Sequence, residues 1–336
     1  MEEKKRARQG CLWTVVILQS VALLVVLFIV AGVALIGMSF KRPTSSPRVG
    51  KDEYPVLKEV WSYGSGEVKV VRIPLRGMIF LGGENDLFPY MVSSSLMALK
   101  SIRRATHDLN VRAIIMEIDS GGGGITASDI LYKALQNFKT ASKGRKVMAM
   151  FGDTATSGAY YIAVASDYIV AHPTTITGSI GVLMQTLNVK ELGEKIGIKD
   201  ITIKSGEDKD ILNPFGELTD RQRQKLQGVV DEFYNRFVSL VVENRQLSKQ
   251  AVQKLKSGQI FTASEALQMG LIDQIGYWED ALAKVAQQLG VHDVKVYRYE
   301  EEFSFSGLWK AFQIWNPSAF LLRKASHTRL LYLWQL

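Results

Sequence analysis

Residues 146–171 read KVMAMFGDTATSGAYYIAVASDYIVA, and this stretch decides the fold class. It opens with an apolar run over 146–151 and closes with another over 168–171, both of a length typical of buried strands. Between them, residues 157–165 follow a polar turn and favour an apolar helix. A strand, a helix and a second strand in this order indicate an α/β layer structure with parallel strands and flanking helices.

The same alternation continues on both sides of this stretch. Upstream, the pattern predicts a strand pair or one bent strand over 68–81, a helix over 87–107 and a strand over 112–118. A glycine run at 121–124 then leads into a helix over 127–140. Downstream, it predicts a strand over 200–204 and amphipathic helices over 219–245 and 247–257. No internal repeat is visible, so we expect one copy of any active site.

Composition excludes several classes of protein. The 336 residues are 47% hydrophobic and carry a net charge of +8 without a long basic run, so nucleic acid is not an expected partner. The single cysteine, Cys11, permits neither a disulfide framework nor a cysteine-based zinc site within one chain. Four histidines without a His-Glu-x-x-His motif argue against a metal enzyme, and we expect no cofactor.

The N-terminal region predicts one transmembrane helix. No charged residue occurs between Leu12 and Phe40, and Val21 to Met38 is 18 residues without a polar side chain, which is long enough to span a bilayer. The alternative is a cleaved signal peptide, because Gly32-Val33-Ala34 loosely fits a cleavage site. The apolar stretch is, however, longer than the core of a signal peptide.

Charge around this span predicts the topology. Four basic residues precede it and two follow it closely, so the N-terminus should be cytoplasmic and the remainder extracytoplasmic, in a single-pass protein of the cell membrane. The predicted organisation is a cytoplasmic tail over 1–10, an anchor over 11–40, a polar stalk over 41–66, a folded domain over 67–290 and a C-terminal extension over 291–336. Residues 303–336 are basic and aromatic, which fits either contact with membrane lipid or an ordinary packed extension.

The glycine run is the first candidate site. Four successive glycines indicate unusual dihedral angles or a close backbone approach, and their N–H groups could stabilise an oxyanion or hold a phosphate. Gly122-x-Gly124-x-x-Ala127 formally matches a dinucleotide fingerprint. The next acidic candidate, Asp153, lies about 30 residues further on rather than about 20. A plain glycine-rich loop is the remaining interpretation.

Ser157 is the second candidate, at the predicted start of a helix. It fits a nucleophile, but an ordinary N-cap serine fits the same position. The surrounding residues do not form Gly-x-Ser-x-Gly. Neither His107, at a helix end, nor His172, before a proline, is a convincing base, so a lysine is the remaining type of base.

Residues 156–163 (TSGAYYIA) and 172–182 (HPTTITGSIGV), with the glycine run before them, resemble the signal peptide peptidase A (protease IV) family. The resemblance covers roughly residues 67–290. It implies a Clp-protease/crotonase-like α/β fold and a Ser–Lys catalytic dyad. It also implies a membrane-anchored homo-oligomeric ring that degrades signal-peptide remnants and other hydrophobic peptides. A non-catalytic peptide-binding or envelope scaffold protein of the same fold is the alternative function.

Carried over by position, Ser157 resembles the nucleophile, Lys209 the general base and Ser179 the serine that orients the lysine. Gly123 and Gly158 resemble the oxyanion N–H donors. The family usually shows Asn-Ser-Pro-Gly-Gly-Gly where this chain has DSGGGG over 119–124, so the choice of glycine donor stays open.

Lys204 is the rival of Lys209. On the predicted strand 200–204 it shares the more polar face with Thr202, which favours a solvated charge. Lys209 precedes apolar residues that could bury its amine, provided that Asp208 and Asp210 point away from the cleft.

Overall fold

The computed structural model describes residues 52–82, 93–255, 257–301 and 331–333. The strands in this part of the chain are β1 (Lys58–Tyr63), β2 (Val68–Arg76), β3 (Val111–Ser120), β4 (Gly122–Gly124), β5 (Lys146–Thr156), β6 (Tyr168–Ala171), β7 (Ile176–Gly178), β8 (Ile260–Thr262), β9 (Gln274–Ile275), β10 (Val294–Glu300) and β11 (Leu331–Leu333). The helices are α1 (Ser94–His107), α2 (Ile125–Ala141), α3 (Gly158–Ala163), α4 (Lys190–Lys195), α5 (Asp220–Asn244), α6 (Lys249–Leu255), α7 (Ala263–Gln268) and α8 (Trp278–Leu289).

The main sheet has the strand order β1-β10-β2-β3-β5-β6-β9, with β7 beside the end of β5 and β8 beside β7. Every pair in the main order is parallel except β1 with β10. The centre of the sheet is apolar on both faces, since Ile114 and Ile115 on β3 are both fully buried. The prediction of an α/β protein with parallel strands is confirmed.

Helices cover the two faces of the sheet and form two hydrophobic cores. On one face Ile114 and Phe151 belong to a cluster with Leu131 and Phe138 of α2. On the other, Ile115 belongs to a cluster with Val285 of α8. Complete burial of one such side chain contributes about 1.5–3 kcal/mol to folding, so this two-sided packing holds β3 and β5 firmly in the centre of the sheet. The candidate site lies at the ends of these two strands.

The long helix α5 braces the helix that follows Ser157. A capping box fixes its start, since the Thr219 hydroxyl accepts from Gln222 N and the Gln222 side chain accepts from Thr219 N. Phe237 on its buried side packs against Tyr161 of α3, with ring centroids 5.0 Å apart. The helix predicted over 219–245 is therefore confirmed to within one residue.

The structure differs from the predicted organisation at both borders of the folded domain. Residues 58–63, predicted as stalk, form β1, and residues 294–300, predicted as C-terminal extension, form β10. The two strands pair with each other from Lys58↔Glu300 onward, and β10 covers the edge of β2. Of the two, β1 is at the edge of the sheet and is half-exposed, which explains why its sequence is not strongly apolar.

Two further predictions are corrected. The prediction of a strand over 200–204 is wrong, because these residues have no strand partner among the described residues. Ile201 and Ile203 are 86% and 97% exposed. The predicted element over 68–81 is a single strand that ends at Arg76, followed by an isolated bridge from Ile79 to Gly123.

The predicted anchor over 11–40 lies outside the described residues. Within the part of the chain that the structure describes, no helix has both the length and the apolar character needed to cross a bilayer.

Candidate active site

Ser157 occupies a sharp turn between β5 and α3. Its backbone has φ 53° and ψ −120°, a left-handed conformation that a residue with a Cβ adopts only at a cost of about 1–3 kcal/mol. The turn is held from both sides, since Ser157 N donates to Gly178 O at 2.8 Å and Tyr161 N donates to Ser157 O at 2.9 Å. The residue is 1% exposed.

The Ser157 hydroxyl does not cap the helix. Although Ser157 stands at the N-cap position of α3, its side chain makes no cap hydrogen bond. The N-cap interpretation of the sequence is therefore wrong. A strained serine whose hydroxyl is free of the helix backbone is the arrangement that strand-to-helix nucleophiles require.

Two positions in the glycine run require glycine, one because another backbone segment approaches it closely and one because of its φ angle. A Cβ on Gly123 would lie 2.1 Å from Ile79 O, and Gly122 has φ 101°. Gly124 N donates to Ile79 O at 2.8 Å, and Ile79 N donates to Gly122 O at 2.9 Å. Because backbone groups alternate along a strand, the N–H and C=O of Gly123 point to the opposite edge of β4.

Ser120 is a supporting residue that sequence reasoning missed. Its hydroxyl donates to Gly77 O at 2.6 Å and accepts from Gly122 N at 3.1 Å. The Gly122 N–H is thus engaged internally, as is that of Gly124, and Asp153 is exposed. These contacts do not fit a phosphate cradle, so they weaken the dinucleotide interpretation. The only sequence signal for Ser120 was its position directly before the glycines.

The glycine strand and the serine turn are neighbours, because α3 contacts both β3 and β4. Gly158 is the first residue of α3, so its N–H has no acceptor within the helix. The structure therefore brings Ser157, Gly123 and Gly158 to one place, at the ends of β3 and β5.

Ser179 follows the strand that holds the serine turn. It is 8% exposed with φ 49°, and its N–H donates to Gln259 O at 2.8 Å. The preceding Gly178 pairs with Thr156 across β5 and β7, and its carbonyl accepts the Ser157 N–H. The Thr177 hydroxyl donates to Ala155 O at 2.6 Å, which fastens the same two strands together. Ser157 and Ser179 thus stand on directly linked segments.

Lys209 differs from Ser157 and Ser179 in both its burial and its contacts. It is exposed, and no hydrogen bond joins its amine to Ser157 or to any other group among the described residues. Sequence reasoning grouped Lys209 with Ser157, but the single chain does not place them in contact.

The acidic neighbours of Lys209 are paired with other cations. Asp210 accepts from Lys204 at 2.7 Å, and this hydrogen bond holds the pKa of Asp210 below its ordinary value. Asp208 accepts from Arg221 at 2.7 Å, and that bond lowers the pKa of Asp208. Both carboxylates are thus engaged by other cations, and Lys204 is held in an ion pair rather than displayed along a strand.

Both histidines considered as bases are engaged elsewhere. His172 Nδ1 lies 2.8 Å from Thr174 Oγ1, and its ring packs edge-on against Tyr277. The His107 ring packs against Tyr54 with centroids 4.0 Å apart. Across the described ranges, no group of three or more metal-ligating side chains is assembled.

Residues 139–292 match the family model of Peptidase family S49. A provisionally named signal peptide peptidase SppA of Enterococcus faecium is 33% identical over 255 residues, which cover 76% of this chain and 74% of the relative. The chain belongs to the signal peptide peptidase A family of S49 peptidases. It is a serine peptidase.

Other relatives of this SppA-family chain agree with that assignment. A provisionally named protease of Synechocystis sp. is 36% identical over 238 residues, covering 70% of this chain and 80% of the relative. Protease 4 of Haemophilus influenzae is 34% identical over 186 residues, but these cover only 30% of that longer protein. Among solved structures, a variant of the membrane-bound stomatin-specific protease 1510-N bound to a substrate peptide covers 74% of this chain and 97% of its own, at 17% identity and a TM-score of 0.41.

Proposed function

We propose that this serine peptidase is a membrane-anchored endopeptidase with a catalytic dyad of Ser157 and Lys209, on a Clp-protease/crotonase-like fold. The observation that carries the proposal is the turn at Ser157. Its backbone is held at a positive φ, and its hydroxyl is left free by the helix. A serine that served only to stabilise the helix would need neither property.

The proposed reaction uses five groups. The neutral amine of Lys209 removes the proton from Ser157 Oγ, which attacks the carbonyl carbon of a peptide bond. The N–H groups of Gly123 and Gly158 donate to the oxyanion. The Gly123 N–H is not used by Ile79, and the Gly158 N–H, at the first position of α3, has no acceptor within the helix. The Lys209 ammonium then protonates the leaving amine. Water attacks the acyl-enzyme as Lys209 accepts its proton. The Lys209 ammonium then returns that proton to Ser157 Oγ as the acyl C–O bond breaks and the carboxyl product leaves, which restores Ser157. Ser179 orients the amine of Lys209.

A second copy of the chain completes the proposed site. A base needs a neutral amine, and burial favours that form, yet Lys209 is exposed in the isolated chain. The segment that carries it also exposes Ile201 and Ile203 almost completely, at 86% and 97%. Isoleucines this exposed indicate a surface that another molecule covers. We therefore propose a homo-oligomeric ring in which contact between copies buries this segment and brings a lysine to each serine.

The proposed substrates are hydrophobic peptides, including cleaved signal peptides. The name of the Enterococcus faecium relative and the apolar stretch at residues 11–40 support a site held near the membrane, where such peptides are released. In this proposal the N-terminus is cytoplasmic and the peptidase domain extracytoplasmic.

Peptide hydrolysis by two serine variants tests the proposal. Ser157→Ala should abolish cleavage of an apolar reporter peptide while circular dichroism stays unchanged. Ser166→Ala is the matched control, because its buried hydroxyl has no hydrogen-bond partner in the described residues and its removal costs little. Cleavage by Ser157→Ala at the wild-type rate would refute the dyad, and would favour a binding or scaffold role for this cleft.

A further inference from the structure

The serine turn and the glycine strand are each followed directly by a helix. Ser157 leads into α3, which begins at Gly158, and Gly124 at the end of β4 leads into α2, which begins at Ile125. The two helices pack against each other. Because each proposed oxyanion donor lies at or beside the start of one helix, a movement of α2 against α3 would change the distance between the N–H groups of Gly123 and Gly158.

A hydrogen bond between side chains links the two helices close to their starts. The Tyr161 hydroxyl, in the first turn of α3, donates to Asp129 Oδ1 on α2 at 2.6 Å. Asp129 lies about one turn after the start of α2. Tyr161 N also donates to Ser157 O at 2.9 Å, so the residue that makes the link is bonded to the serine turn itself.

Arg236 of α5 completes a network of three side chains. Its Nη2 donates to the same oxygen of Asp129 at 2.6 Å, and its Nε donates to the Tyr161 hydroxyl at 3.1 Å. Burial opposes the charge of Asp129, but the hydrogen bonds from Tyr161 and Arg236 hold its pKa below the ordinary value of 3.8. The carboxylate is therefore ionised at neutral pH, and an ionised acceptor makes shorter and stronger hydrogen bonds than a neutral one.

The ring of Tyr161 makes a separate set of contacts. It packs against Tyr132 of α2, with centroids 5.7 Å apart, and against Phe237 of α5 at 5.0 Å, and the residue is fully buried. These ring contacts hold α3 in the core without help from the hydroxyl. The hydroxyl adds direction, because a hydrogen bond restricts distance and angle more narrowly than ring packing does.

We propose that Tyr161 and Asp129 are positioning residues for the oxyanion site, and that their hydrogen bond sets the spacing between the N–H groups of Gly123 and Gly158. This inference rests on the proposed function of Ser157 and the two glycines. Oxyanion donors act at about 2.7–3.1 Å from the developing charge, and a displacement of about 1 Å can cost roughly 10²-fold in rate. A small shift of α3 against α2 is therefore enough to reduce catalysis.

Two tyrosine-to-phenylalanine variants test the proposal in the full-length chain. Tyr161→Phe keeps the ring and removes only the hydroxyl. It should lower kcat for an apolar reporter peptide about tenfold and leave KM unchanged, because the oxyanion forms only in the transition state. Tyr160→Phe is the matched control, since Tyr160 is equally buried in the same helix but its hydroxyl donates to Leu271 O at 2.7 Å, outside α2. It should retain the wild-type kcat. Equal losses of kcat in both variants, or none in Tyr161→Phe, would overturn the proposal.

Substitutions of Asp129 test whether the two residues act as a unit. Asp129→Ala should lower kcat as much as Tyr161→Phe, and the double variant should lose no more than either single variant, because both changes remove the same bond. Asp129→Asn keeps an acceptor oxygen for the hydroxyl and should recover most of kcat. Losses that multiply in the double variant, or an Asp129→Asn as impaired as Asp129→Ala, would refute the link.

Hydrogen exchange followed by mass spectrometry separates this proposal from the catalytic one. In a Ser157→Ala background, Tyr161→Phe should speed amide exchange in peptides covering residues 122–128 and 157–163. Tyr160→Phe should leave exchange over 122–128 unchanged. This readout requires no hydrolysis, so it stands even if the assignment of the nucleophile fails. Unchanged exchange over 122–128 in Tyr161→Phe would overturn the link between the helices while leaving the dyad intact.

Discussion

The backbone N–H of Ser157 donates to the carbonyl oxygen of Gly178, 2.8 Å away. This bond ties the serine turn to the segment that carries Ser179 one residue later. Gly178 itself has φ 88°, and a Cβ there would lie 2.5 Å from the Phe261 ring, so the position accepts only glycine. The strain at Ser157 is therefore maintained by a neighbour that cannot shift freely.

The choice of base is testable with two neighbouring lysines. Lys209→Ala should reduce kcat for peptide hydrolysis by roughly 10²–10⁴-fold, the usual contribution of a general base. Lys204→Ala is the control, since Lys204 is held in an ion pair with Asp210, and it should retain most activity. Ser179→Ala should fall between the two. An inactive Lys204→Ala alongside a fully active Lys209→Ala would reverse the assignment.

Gly123 and Gly124 of β4 should differ in their tolerance of a methyl group. Gly123→Ala places a Cβ 2.1 Å from Ile79 O and displaces a proposed oxyanion donor, so kcat should fall by about 10²-fold or more. Gly124→Ala meets nothing closer than 3.7 Å and should have a much smaller effect. Steady-state kinetics with thermal melts of both variants provide the measurement. Similar losses in both would argue against a special role for Gly123.

Assembly should depend on the exposed isoleucines near Lys209. Ile203→Glu should leave the melting temperature of the subunit fold nearly unchanged, because the side chain is 97% exposed, yet it should reduce the mass measured by light scattering and the activity together. Leu109→Glu, at a position 77% exposed on another surface, should change neither. Full activity in a monomeric wild-type chain would exclude the composite site.

Acid should weaken the fold partly through Asp108. Burial opposes the charge of this carboxylate, but hydrogen bonds from Lys69 Nζ and Asn110 N hold its pKa below the ordinary value of 3.8. Because the pKa of Asp108 is lower in the folded than in the unfolded state, its ionised carboxylate stabilises the fold at pH values above the unfolded-state pKa. This contribution is lost as the pH falls through the folded-state pKa.

Urea unfolding at two pH values measures that contribution. Asp108→Asn should lower the free energy of unfolding by roughly 1–3 kcal/mol at pH 7, and the difference from wild type should shrink near pH 3. Asp231→Asn, which alters a surface hydrogen bond from Gln227, should follow the wild-type profile. A constant difference between Asp108→Asn and wild type at all pH values would show that the charge is not involved.

The centre of the fold was predictable because strands that are buried on both faces have nearly continuous apolar sequences. The apolar runs that became β3 and β5 have both faces covered by helices, so every position favours the same assignment. The outer strands β1 and β10 lack such a continuous apolar pattern, since Trp61 on β1 is 62% exposed. Ile201 and Ile203 show the opposite failure, because their alternation is typical of a strand but no neighbouring strand is present to pair with them in the described residues.

The sequence offered candidate residues for the site but not their geometry. Sequence alone left Ser157 between a nucleophile and an N-cap, and only the backbone dihedral angles and the absent cap bond separate the two. The approach of Ile79 to Gly123 and the pairing of Tyr332 with Gly123 join segments distant in the chain. Such contacts depend on how the whole chain folds, so no local pattern could indicate them.

Mass-spectrometric mapping of a fluorophosphonate probe tests the central claim most directly. The full-length chain should acquire one covalent adduct, and the modified tryptic peptide should carry it on Ser157. The Ser157→Ala chain should remain unlabelled, while the Ser166→Ala control should label like the wild type. A stoichiometric adduct on any other serine, or undiminished labelling of Ser157→Ala, would contradict the assignment of Ser157 as the nucleophile.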